Sequence, residues 1–201
     1  MPTERTPPAV NAILLDAGGV MIFPSPDLLL PPLRAVGVQP SVADLERAHY
    51  RAMADCDKPD REPPDDQWWL QYLRDFVAAC GVPAAEVDAV AADIVDLTQG
   101  FSWTHVGPGV TEALRGIAAL GLPLGIVSNS TGEVEETLRL RGVCYAGAYA
   151  AVSDHVAAGG SGTEVGVVID SAVVGVSKPD PAIFAVALEA LGIPDAERST
   201  V

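Results

Sequence analysis

Short, uninterrupted apolar runs alternate with stretches in which apolar residues recur every three to four positions. The two patterns divide the chain into strands and helices. Residues 10–15 (VNAILL) read as a buried strand, closed by a tight turn at Asp16-Ala17-Gly18-Gly19. From residue 24 to about 105 the pattern is helical. Ser41 is placed to cap a helix with Val42, Leu45, Ala52 and Met53 on one face. Residues 56–66 (CDKPDREPPDD) form a polar, proline-rich loop. Asp66 then caps a helix carrying Trp68, Trp69, Tyr72, Leu73, Phe76 and Val77, which stops at Gly81. A further helix carries Val87, Val90, Ala91, Ile94 and Val95.

Beyond Gly107 the alternation returns. Val110, Leu114, Ile117 and Ala118 mark a helix ending at Gly121, and residues 122–127 (LPLGIV) a strand that runs into Ser128-Asn129-Ser130. Ser130 and Glu133 have the spacing of a capping box, opening a helix to Gly142. Residues 144–164, rich in Ala, Gly and Ser, carry no assignable period. Residues 165–169 read as a strand, and Asp180-Pro181 as the start of a last helix with Phe184, Ala187, Leu188 and Leu191 on one face. Strands alternating with helices predict an α/β fold, a Rossmann-like parallel sheet covered on both faces. The expected division is an α/β core from residues 1–23 and 106–201, with a helical insertion at 24–105; residues 1–9 read as a disordered lead-in.

Composition narrows the function classes. A net charge of -15 and a pI near 4.3 disfavour nucleic acid as a partner, because an acidic surface repels phosphate backbones. No apolar run reaches the roughly 18 residues of a membrane span, and the N-terminus has no signal-peptide layout. Cys56, Cys80 and Cys144 are scattered, with neither metal spacing nor a disulfide framework, as expected of core thiols in a reducing cytoplasm.

Three polar positions stand where sheet strands of this class end, and ligands bind at such ends. Asp16 follows the first strand; the glycines after it let backbone N–H groups approach an anion, and a rigidly held carboxylate there can attack phosphorus or carbon. The alternative is a turn-forming Asp. Ser128 ends the second strand, where its hydroxyl and the N–H groups of Asn129 and Ser130 can bind phosphate oxygens; the alternative is an ordinary cap. Lys178, one of two lysines in the chain, precedes the last helix, where a cation offsets charge on a nucleophile or a phosphate. The alternative is a solvated loop lysine. The Trp68–Trp69 pair reads as packing rather than a ligand cage.

Taken in order, an apolar strand with DxGGV, an apolar strand with SNS, and SxxxGxxKPDPxIF at residues 171–184 resemble the first three motifs of the haloacid dehalogenase (HAD) superfamily, in the subfamily with a helical cap after motif one. The resemblance covers residues 10 to about 194. It implies that Asp16 is the nucleophile, that Ser128 and Asn129 bind the transferred group, and that Lys178 steadies both. It also implies Mg²⁺ held by Asp16 and the Gly18 carbonyl, and a small phosphorylated substrate hydrolysed through an aspartyl-phosphate.

The sequence departs from the family pattern twice. The general acid–base position two residues after the nucleophile is Gly18, which has no side chain. The fourth, acidic motif and the strand before it should follow the last helix, and no GDxxxxD-like segment lies downstream of Lys178; Asp195 and Glu197 stand too near the helix end to replace it. The C-terminal strands of the core are therefore expected to be missing. Two rival readings follow: a metal-independent 2-haloacid dehalogenase-like hydrolase, with Arg47 or Arg51 binding a carboxylate or halide, and an inactive fragment or binding protein. A phosphonatase-like Schiff base has one candidate, Lys58, whose acidic, proline-rich surroundings suit a solvated loop better.

Overall fold

A three-stranded parallel sheet carries Asp16 and Ser128 at the ends of two of its strands. The computed structural model describes residues 10–56, 68–97, 102–147 and 161–193. In chain order the elements are β1 (Ile13–Leu15), β2 (Ile22–Phe23), α1 (Pro26–Ala35), α2 (Val42–Cys56), α3 (Trp68–Ala79), α4 (Val87–Leu97) and β3 (His105–Val106). Then come α5 (Val110–Ala118), β4 (Leu124–Ser128), α6 (Val134–Leu140), β5 (Cys144–Ala146), β6 (Thr163–Val165), β7 (Val167–Asp170), α7 (Ser171–Val174) and α8 (Ala182–Ala190). The expected lead-in, the 56–66 loop from residue 57 on with Lys58 and the Asp66 cap, and Asp195 and Glu197 lie outside the described residues.

The protein is α/β. Its main sheet has the order β1-β4-β7, all parallel, with Leu15 opposite Ile126 and Ser128 opposite Asp170. Two further two-stranded sheets pair β2 with β3 and β5 with β6. The chain divides into two compact units: residues 1–21 with 106–201, and residues 22–105.

In the sheet unit, α8 covers one face. Ile183 and Ala187 pack on Val127, Val167 and Ile169, with Leu14, Phe184 and Leu191 around them. Gly125 in the central strand makes that closure possible. A Cβ there would lie 2.9 Å from a methyl of Leu14 and 3.1 Å from one of Val167, so any side chain would push the neighbouring strands' residues aside. The expected single strand at 165–169 is two strands, β6 and β7, split at Gly166, whose N–H turns to the Leu124 carbonyl. The unassigned stretch from 144 supplies the short strands β5 and β6, too brief to show a period.

The helical unit packs α1–α4 around Leu29, Leu33, Leu45, Tyr72, Phe76 and Ile94, all buried. Ser41 caps α2 in a reciprocal pattern: its Oγ accepts from the Asp44 N–H (3.2 Å), and its N–H and hydroxyl donate to the Asp44 carboxylate (2.9 and 2.6 Å). That hydroxyl, with help from the Ser41 N–H and Arg47, holds the Asp44 carboxyl down to about 2. Trp68 and Trp69 pack against this core and stack on Tyr72, at ring centroid distances of 5.7 and 5.0 Å. His49 is buried in the same cluster, its Nδ1 2.8 Å from the Tyr72 hydroxyl. Burial lowers the His49 imidazole to about 4 and raises the Tyr72 phenol. None of the three cysteines is in a disulfide; burial raises the Cys80 and Cys144 thiols to about 12, far from a reactive thiolate.

Candidate active site

Asp16 is the first residue beyond β1. Its Oδ1 accepts the N–H of Ala17 (2.8 Å), and the chain turns at once, with the N–H of Met21 returning to the Ala17 carbonyl (2.8 Å). The turn needs positive φ at Gly19 (72°), whereas Gly18 is not among the positive-φ glycines. The other oxygen of Asp16, Oδ2, lies 2.5 Å from Nζ of Lys178. The Asp16 side chain is 40% exposed and that of Lys178 23%, so the pair is open on one side.

Lys178 is not a solvated loop residue. Its ammonium also donates to the Val127 carbonyl near the end of β4 (3.2 Å). Its backbone is held by Asn129: the Lys178 N–H donates to Oδ1 (2.8 Å), and Nδ2 donates to the Lys178 carbonyl (3.0 Å). The Asn129 side chain is thus a latch on the Lys178 loop. Asp180, two residues on, accepts the Ala182 N–H (2.9 Å) at the start of α8. Ser128 closes β4, buried at 2% exposure, beside Asp170 at the end of β7.

Two expectations about this loop fail. The Ser130–Glu133 capping box does not form: α6 starts at Val134, and the buried Ser130 Oγ has no hydrogen-bond partner. The cap comes from another strand, since Asp170 Oδ2 accepts the N–H groups of Gly132 (2.9 Å) and Val134 (3.3 Å). Nor is the Ser130 N–H available to a phosphate, because it donates to Ser171 Oγ (3.0 Å), which donates back to the Ser130 carbonyl (3.2 Å). Asp170 and Ser171 were not assigned roles from sequence. The signal for Asp170 was present: like Asp16 and Ser128, it is the polar residue that ends an apolar run.

The site is therefore an exposed carboxylate gripped by a lysine at the carboxyl edge of a parallel sheet, with a buried serine on the adjoining strand. A family model of haloacid dehalogenase-like hydrolases matches residues 10–200. The chain belongs to that family. Two curated proteins resemble this HAD-like hydrolase, both called haloacid dehalogenase-like hydrolase domain-containing protein 3. The one from Danio rerio is 31% identical over 128 residues, 63% of this chain and 46% of its own length. The one from Mus musculus is 30% identical over 125 residues, 61% of this chain and 42% of its own. The matched region is thus less than half of either relative. Among solved structures, the crystal structure of a 2-haloacid dehalogenase from Pseudomonas syringae pv. Tomato DC3000 is 19% identical and covers 92% of this chain and 74% of its own, with a TM-score of 0.39.

HAD-like hydrolases generally use Mg²⁺, which takes six oxygen ligands, several of them water or substrate oxygens. In this chain Asp16 and the Gly18 carbonyl would supply two. The buried carboxylate at the sheet edge, Asp170, has both oxygens committed to backbone N–H groups. Among the described residues no group of three or more His, Cys, Asp or Glu side chains is placed to hold a metal ion. These residues alone do not compose a Mg²⁺ site. No described helix is long and apolar enough to cross a membrane.

Proposed function

We propose that this HAD-like hydrolase cleaves a small phosphate ester through an aspartyl-phosphate on Asp16. The observation that carries the reading is the Asp16–Lys178 pair at the strand ends, with the lysine fixed from two further directions. An Asp16 oxygen attacks phosphorus as the ester P–O bond breaks, and the leaving oxygen departs with the bonding electrons. Water then attacks the phosphorus of the acyl phosphate, releasing inorganic phosphate and restoring the carboxylate. Lys178 holds the carboxylate in place and offsets the negative charge that collects on the phosphoryl oxygens. The Ser128 hydroxyl and the main chain of Asn129 bind those oxygens. Gly18 supplies no proton, so the leaving oxygen takes its proton from water.

A second reading rests on Gly18. If Asp16 attacks carbon and expels a halide, neither a proton donor nor a second carboxylate is needed, which suits a site where, among the described residues, Asp16 is the carboxylate paired with Lys178 and Gly18 offers no side chain. The test offers the full chain 4-nitrophenyl phosphate and 2-chloropropionate, each with and without MgCl₂. Phosphate release that depends on Asp16 is the expected outcome. Metal-free chloride release in its place would establish the second reading, and the absence of both products would favour an inactive fragment or a binding protein.

A further inference from the structure

Asp170 is buried, at 4% exposure, and lies at the end of β7 directly beside Ser128. Burial of a carboxylate is costly unless its oxygens are satisfied. Here they are satisfied by three backbone N–H groups: Gly132 and Val134 on Oδ2, and Ala172 (3.0 Å) on Oδ1. One side chain therefore grips both the loop that leaves Ser128 and the start of α7, which leads to Lys178. Ser171 adds a second grip on the same loop by bonding both the N–H and the carbonyl of Ser130. At its other end the loop is latched to Lys178 by Asn129. Residues 129–134 thus bridge two fixed points, Asp170-Ser171 on one side and Lys178 on the other.

We infer that Asp170 is a positioning residue for the Asp16–Lys178 pair, setting the path of residues 129–134 so that Asn129 holds Lys178 over Asp16. The inference rests on the phosphatase reading for its catalytic consequence, not for the geometry. An amide at this position keeps the shape but turns one acceptor into a donor, so Asp170→Asn can satisfy Ala172 or the Gly132–Val134 pair and not both.

The test uses the full chain and two readouts. With 4-nitrophenyl phosphate, Asp170→Asn is expected to lower kcat by roughly 10–100-fold, the size of effect that small misplacements of reacting groups produce, with KM changed far less. The second readout needs no turnover. Lys178 is one of only two lysines, so its acylation by an N-hydroxysuccinimide ester is resolved from that of Lys58 by peptide mass. Loosening the latch should make Lys178 react several-fold faster in the variant than in the wild type, at a temperature where melting curves show both folded. Unchanged Lys178 labelling, or a loss of kcat that only follows the folded fraction, overturns the inference. Should Asp170→Asn fail to fold, Ser171→Ala, which removes the second grip, is judged on the same two readouts. A wild type without turnover sinks the phosphatase reading alone, and labelling still decides whether Asp170 holds Lys178 in place.

Discussion

Lys178 meets Asp16 at 2.5 Å although the two residues come from opposite ends of the chain, and the lysine reaches it with its backbone already clamped by Asn129. The pair is partly exposed, so its share of folding stability is small, on the order of 1 kcal/mol or less. On the phosphatase reading its share of transition-state stabilisation is larger, because a fixed charge need not reorganise as the reaction proceeds. Lys178→Ala should therefore lower kcat by on the order of 10²-fold or more while the melting temperature barely moves. Turnover and thermal unfolding measured on the same samples check this; an unchanged rate would return Lys178 to a purely structural role.

Asp16→Asn should abolish turnover and leave the fold intact. The amide is a poor nucleophile of nearly the same shape, and its oxygen can still accept from Ala17. Mass spectrometry after a rapid quench should show a phosphorylated peptide containing residue 16 in the wild type and none in the variant. Full activity at equal stability would remove Asp16 from the chemistry.

The proton missing at Gly18 should appear as leaving-group dependence. General acid catalysis contributes roughly 10²–10⁴-fold, most of it for poor leaving groups. The wild-type rate should fall steeply from aryl to alkyl phosphates, and Gly18→Asp should flatten the slope. Since Gly18 is not among the positive-φ glycines, the added side chain carries no left-handed backbone penalty. A flat wild-type series would show that another group already supplies the proton.

His49 predicts an acid-sensitive helical unit. Its folded value of about 4 lies below the ordinary 6.5. As pH drops through that window, the unfolded chain takes up a proton that the folded one refuses. Stability therefore falls between about pH 6.5 and 4, and this contribution levels off below the folded value. At about 1.4 kcal/mol per unit the full loss is on the order of 3 kcal/mol. Urea unfolding across this range should show the slope in the wild type and a shallower one in His49→Gln; equal slopes would place the acid sensitivity elsewhere.

Local signals made part of the site readable from sequence. Asp16 and Ser128 each end an apolar run, and Lys178 stands two residues before a helix-starting Asp-Pro, so all three could be set at strand or helix ends without knowing the sheet order. What joins them was not readable. The Asn129 latch and the Asp170 cap cross between strands, and a spacing rule sees only neighbours in sequence. Ser130 and Glu133 have the right spacing for a capping box, yet a buried carboxylate from β7 takes over the cap. Reading the strand at 165–169 as unbroken also hid Gly166, where the chain turns aside before β7, and left Asp170 one residue past the assigned end.

The partition of the chain also favours one order of assembly. β1 pairs with β4, and everything from Ile22 to His105 intervenes. In an unfolded chain, closing a loop of that length costs entropy before any strand contact repays it. The helices of that stretch make mostly local contacts, α2 with α3 and α3 with α4, and pairing of β2 with β3 brings its two ends side by side. Once that has happened, the long loop is already closed and β1 reaches β4 cheaply. On this account the sheet edge that carries Asp16 forms after the helical unit, so a substitution buried around Tyr72 is expected to slow refolding of the sheet as well as of the helices.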